Sequence, residues 1–207
     1  MRRRWWAGPG ATWAVVLLTV AQLLVATLFP DLPQFEGKAF GSRLVAYPLM
    51  MCAPVVAWWL VERRRGSTDP LPWLGFTLIG LPFLVDVTGN TLDLYDSVVW
   101  WDDANHFVNW AFLCGGIGVL LLRSPRVDPG WPLVLTVTGV GAVLAIGWEL
   151  AEYATFIRFG TELDTAYTDT LGDEALGTLG GILAGALVTL YARRTMPERQ
   201  APVGSER

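Results

Sequence analysis

The chain has 207 residues, of which 53% are hydrophobic and only 16% charged, and its mean hydropathy is +0.41. That is too little charge to wet the surface of a soluble domain of this length. Net charge is −4, but the signs are segregated along the chain and leave no basic face for nucleic acid. The apolar residues fall in long blocks, so the expected class is an all-α polytopic membrane bundle with membrane lipids as its surroundings.

The basic start, Arg2, Arg3 and Arg4, precedes an apolar run from Ala11 to Phe29. The run is longer than the ~7–15 residues of a signal core, and it ends in Phe-Pro-Asp without a small-x-small cleavage site. It is read as a retained first helix. Crossing a ~30 Å hydrocarbon core takes about 20 apolar residues. Six stretches qualify: about Ala11–Phe29, Leu44–Val61, Leu71–Asn90, Ala104–Leu122, Pro132–Ile157 and Thr170–Ala192. They predict a single bundle over residues 1–194 and a polar, disordered cytoplasmic tail over 195–207.

Arginines set the orientation. Arg2–Arg4, Arg63–Arg65, Arg123 with Arg126, and Arg193 with Arg194 fall on alternate connections. The positive-inside bias puts that side, and both termini, in the cytoplasm. The opposite connections carry Asp31, Glu36, Asp93, Asp96, Asp102, Glu162 and Asp164, with Lys38, Arg43 and Arg158 as their basic members. Trp5, Trp6, Trp58, Trp59, Trp73, Trp100, Trp101 and Trp131 mark span ends, where amphipathic rings prefer to sit. Cys52 and Cys114 lie inside apolar runs and are read as small core residues. Gly177, Gly181 and Gly185 share one face of the last span, which is read as ordinary close packing.

Ionisable groups inside spans are costly and face a bundle interior or a watery cavity. Here they gather at one depth. Asp86 and Asn90 lie towards the outer end of span three. Asp102, Asp103, His106 and Asn109 open span four. Glu149, Glu152 and Tyr153 lie towards the end of span five, and Asp169, Asp173 and Glu174 open span six. Asp103 and His106 are three apart, as are Glu149 and Glu152; Asp169 and Asp173 are four apart, as are Asp102 and His106. Such pairs share a helix face. Carboxylates at a helix start can be explained by capping. Glu149 and Glu152 cannot, because they lie near a C-terminal end, where the dipole disfavours anions. Glu149 is about 26 Å of helix from Pro132, still inside the core, and Asp86 is about 22 Å from Leu71. Shared protons, His106, Arg158 or a metal ion must compensate them.

The segments Asp103-Ala-Asn-His106-Phe107, Trp148-Glu149-Leu-Ala-Glu152-Tyr153 and Asp169-Thr-Leu-Gly-Asp173, the last followed by a small-residue helix, resemble the YjdF-like family of bacterial inner-membrane proteins. The resemblance covers the second half of the chain; the first two spans match only as hydrophobic segments. It implies a multi-pass protein of the bacterial plasma membrane, supports these residues as a site, and supplies no reaction. The chain departs from the family's pattern before Asp169, where it reads Gly160-Thr-Glu-Leu-Asp-Thr-Ala-Tyr-Thr. A looser similarity links it to VanZ-like membrane proteins.

Three functions fit these residues. In a metal-dependent enzyme acting on lipid or lipid-linked envelope substrates, Asp103, His106, Glu149, Glu152, Asp169 and Asp173 would ligate one or two divalent ions. Such a set suits Mg²⁺, Mn²⁺, Zn²⁺ or Fe²⁺. His106, Glu149 and Glu152 would carry the chemistry, with Asp86, Asn90, Asp102, Asn109 and Tyr153 around them. No organic cofactor motif is present, nor a His-Glu-x-x-His or Gly-x-Ser-x-Gly pattern. In a structural or envelope-assembly protein, the cluster would hold helix ends together. In a cation- or proton-coupled transporter it would bind the coupling ion, although the inner halves of the spans lack charges and no repeat is visible. The oligomeric state stays open.

Overall fold

The computed structural model describes residues 8–123, 127–155, 157–159 and 166–195. Arg2–Arg4, Trp5, Trp6, Arg126, Glu162, Asp164 and the tail from residue 196 onwards lie outside the described residues. Every long apolar block is a helix: α1 (Pro9–Leu28), α2 (Phe40–Arg65), α3 (Trp73–Thr91), α5 (Trp101–Leu121), α6 (Trp131–Thr155) and α7 (Ala166–Thr195). A four-residue helix, α4 (Leu94–Ser97), sits between α3 and α5, and a 3₁₀ turn, Ile157–Phe159, follows α6. There are no strands among the described residues. The six longer helices are all long and apolar enough to cross a membrane.

Helix ends follow local chemistry. Pro9 opens α1 at a position where its missing N–H costs nothing. Gly66, at φ 65°, closes α2 in the left-handed conformation, and its amide donates to the carbonyls of Glu62 and Arg63. Arg63, Arg64 and Arg65 fill the last turn, where cations complement the dipole.

Several boundaries differ from those expected, and three of the shifts carry polar residues with them. α2 starts at Phe40, so Arg43 belongs to the helix and not to the preceding loop. α5 starts at Trp101, which places Asp102 and Asp103 in its first turn. α6 stops at Thr155, before the 3₁₀ turn. α7 starts at Ala166, so Asp173 lies two turns inside it and does not cap it.

Spatial order differs from chain order. α1 packs on α3, α3 on α5, α5 on α7, and α7 on α6, while α2 lies at the edge against α1 and α3. Small residues permit the close approaches. A Cβ on Gly116 would lie 2.6 Å from the Gly75 carbonyl oxygen of α3. The glycines of α7 do not share one partner: Gly177 and Gly180 meet Trp110 and the α5 backbone, whereas Gly181 and Gly185 meet Thr138 and Val134 of α6.

Contacts show which ends lie together. Thr12 Oγ1 shares a 2.8 Å hydrogen bond with Thr77 Oγ1, Trp58 meets Phe76 edge-on, Gly75 meets Leu120, and Gly118 meets Val137 and Val188. The ends carrying Arg63–Arg65, Arg123, Arg193 and Arg194 therefore gather on one side of the bundle. Asp86, Asp102, His106, Glu149 and Asp173 gather towards the other.

Candidate functional site

The registers that pack the helices also bury two carboxylates. On α6, Leu133, Val137, Gly141 and Ala145 form a buried stripe at four-residue intervals. The next position in that stripe is Glu149, 6% exposed. On α7 the buried face runs from Ala192 through Val188, Ala184, Gly181 and Gly177, and its next member is Asp173, 3% exposed. Each acid takes its depth from the apolar stripe that it terminates.

His106 stands where these stripes end. Its imidazole is nine-tenths buried. Nε2 lies 3.7 Å from Asp173 Oδ1 and 3.8 Å from Asp102 Oδ1, and Nδ1 lies 3.9 Å from Glu149 Oε1. Asp102, His106 and Asp173 bring ligand atoms within 4.8 Å of one another, and so do His106, Glu149 and Glu152. Three helices thus contribute to two groups that share one imidazole. The gaps are too long for hydrogen bonds, and Nδ1 is buried without a hydrogen-bond partner.

A second polar cluster is built differently. Asp86 Oδ2 accepts hydrogen bonds from Tyr47 (2.7 Å) and from the Arg43 guanidinium (3.1 Å), both on α2. Its Oδ1 accepts from the Tyr95 hydroxyl at 3.0 Å. The Asn90 amide donates to the Asp86 backbone carbonyl at 3.0 Å. From Tyr95 the chain continues into α5: the Asn105 amide donates to the Tyr95 oxygen at 3.0 Å, and the Asn109 amide donates to Asn105 Oδ1 at 3.4 Å. Tyr95 lies outside the spans on α4. Burial first, and then the Asp86 charge, holds its phenol far above the ordinary tyrosine range.

The two clusters adjoin, since Arg43 lies close enough to Glu152 to interact with it. Arg43, expected in a connection, is instead the partner of Asp86 from within α2. Of the expected ligands, His106, Glu149, Glu152 and Asp173 come together. Asp102 reaches the imidazole where Asp103 was expected to, because an i,i+4 pair stacks along the helix axis while Asp103 turns outward and is exposed. Asp169 and Tyr153 are also exposed. Asn90 and Asn109 belong to the Asp86 chain. Asp96, on the connection between the third and fourth spans, makes a 2.6 Å ion pair with Lys38 while remaining half-exposed.

Residues 11–194 match a family described as "Predicted membrane protein (DUF2238)". The chain belongs to that family. DUF2238 is a membrane protein family of unknown function; the YjdF-like resemblance fits this membership, and the VanZ-like similarity is not confirmed by it. No curated protein and no solved structure matches the chain. This DUF2238 member is thus a multi-pass membrane protein with acidic and histidine groups that could hold a metal ion.

Proposed function

We propose that this DUF2238 protein is a divalent-metal-dependent enzyme acting at headgroup level, on the outer face of a bacterial plasma membrane, on lipid or lipid-linked envelope substrates. The observation that carries the proposal is His106, a buried imidazole with an unpartnered Nδ1, ringed by carboxylates at 3.7–3.9 Å. Ligands about 2.0–2.2 Å from a tetrahedral ion stand about 3.4 Å apart. Small rotations of these side chains would close the difference. A neutral imidazole offers a lone pair at one nitrogen and an N–H at the other. Carboxylates on both sides therefore suit an ion at one nitrogen and an orienting acceptor at the other. A bound divalent ion would polarise a phosphoryl or carbonyl oxygen and activate water.

The contrast with Asp86 supports this reading over a purely structural one. Asp86 accepts three side-chain hydrogen bonds of 2.7–3.1 Å, as expected of a group that holds helices together. At His106, by contrast, Nδ1 is buried and makes no hydrogen bond among the described residues. Asp102, about half exposed, opens the cluster to the end of the bundle. The arginine-bearing side has no comparable acidic set, which speaks against a transport path through both halves.

The test is metal content. The protein is purified in detergent without chelators and its bound metals are quantified beside Glu149→Gln, Asp173→Asn and Asp103→Asn. Stoichiometric metal that is lost in the first two variants and kept in the third is the expected result. Folded wild-type protein that takes up none of Mg²⁺, Mn²⁺, Zn²⁺ or Fe²⁺ would overturn the proposal.

A further inference from the structure

The hydrogen bonds that run from Asp86 have a direction. A carboxylate paired with Arg43 only accepts, so the Tyr95 hydroxyl must donate to it. The Tyr95 oxygen then accepts from the Asn105 amide, and Asn105 Oδ1 accepts from the Asn109 amide. Each link fixes the next. It also fixes which end of each asparagine amide is oxygen, an assignment that only a hydrogen-bond network can make. The last acceptor, Asn109 Oδ1, is buried with no partner among the described residues. Two other buried side-chain atoms of α5 lack a partner among the described residues, Trp101 Nε1 at its first residue and His106 Nδ1, and the latter faces Glu149. Asn109 follows His106 by three residues, on the same face of α5 and one turn deeper.

Resting on the metal reading above, we infer that Asn109 Oδ1 is a neutral oxygen ligand to the ion held by His106, Glu149 and Glu152, presented to it by the chain that begins at Asp86. A buried unpaired acceptor keeps its desolvation cost with nothing to offset it, and a cation removes that cost without adding a fifth charge to four nearby carboxylates. Arg43, Tyr47, Tyr95 and Asn105 are then positioning residues: they touch no ion, and they fix the orientation of the amide that does.

The experiment titrates Mn²⁺ into detergent-purified full-length protein and compares wild type with Asn109→Ala, Asn109→Leu and Asn109→Asp. Melting in chelator first establishes that each variant is folded. Leucine is close to asparagine in volume and takes the place of alanine should the alanine variant not fold. Loss of the oxygen in Asn109→Ala or Asn109→Leu should weaken Mn²⁺ binding about tenfold or more, while Asn109→Asp, which keeps an oxygen, should bind at least as tightly as wild type. Equal weakening in all three would mean a packing role and overturn the inference. Unchanged affinity in all three, with Glu149→Gln inactive in binding, would overturn it and leave the metal reading standing. Wild type that binds no Mn²⁺ or other divalent ion overturns both.

Discussion

Replacing Gly116 by alanine would place a Cβ 2.6 Å from the Gly75 carbonyl oxygen, 2.7 Å from Ile79 Cγ1 and 2.9 Å from the Ile79 amide nitrogen. Two of these three atoms are α3 backbone and cannot rotate away. Restoring an ordinary contact of about 3.4 Å requires α3 and α5 to separate by about 0.8 Å along most of their shared face. Overpacking of this kind costs typically ~1–3 kcal/mol. A clash against backbone belongs to the upper half of that range; alanine recovers up to ~1 kcal/mol through its higher helix propensity, so the net loss is about 1–2 kcal/mol. For a chain of this size that lowers Tm by roughly 2–8 °C. The control is Gly139→Ala on α6, where an added Cβ meets nothing within 4 Å; there only the propensity gain remains and Tm should hold or rise. Both are measured as the loss of monodisperse protein on heating in detergent. Gly116→Ala melting at or above Gly139→Ala would refute the claim that backbone contact between α3 and α5 supports this bundle.

Asp86→Asn should destabilise the bundle by on the order of 3 kcal/mol, because it leaves the Arg43 charge largely buried without its counterion; the double variant Arg43→Met, Asp86→Leu should recover part of that loss, which a melting comparison reads directly. Tyr95 contributes to the pH dependence with a defined sign. Its folded pKa is raised, so its contribution is complete below the unfolded value of about 10 and falls as pH rises above it; Tyr95→Phe should therefore show a flatter decline in stability between about pH 10 and 11. Sidedness is read by single cysteines on a background lacking Cys52 and Cys114. Asp96→Cys should react with an impermeant maleimide in intact cells, and Asp69→Cys only after permeabilisation.

The spans were legible in the sequence because length and hydropathy are local properties, and the bilayer demands both. Glu149, Glu152, His106 and Asp173 were legible as a group because acids at one depth in adjacent helices must share their environment. Rotation about each helix axis was harder to read. Asp102 and Asp103 differ by about 100° around α5, and either spacing to His106 satisfies a same-face rule, so only the position of α7 decides between them. Asp169 was assigned through its four-residue spacing to Asp173, but α7 begins early enough to leave it outside the buried face. Arg43 reads as a loop residue because its apolar stretch starts at Leu44, yet its four-residue spacing to Tyr47, opposite an acid in the next helix, is a signal present in the sequence. Tyr95 and Asn105 gave none: the four-residue α4 that turns the phenol towards Asp86 follows from tertiary contacts.

α2 is the most loosely buried of the six helices. Only 17% of its most apolar stretch lies inside the molecule, against 44% for α7, and Pro48 and Pro54 deprive it of two internal hydrogen bonds. In lipid, apolar contact gives a helix little reason to prefer protein over acyl chains, so the clasp of Arg43 and Tyr47 on Asp86 supplies much of its reason to dock. Until α2 arrives, Asp86 lacks two of its donors and the asparagine chain lacks a fixed sense. The helix with the weakest apolar hold on the bundle is thus the one that supplies two donors to the carboxylate from which the chain to Asn109 starts.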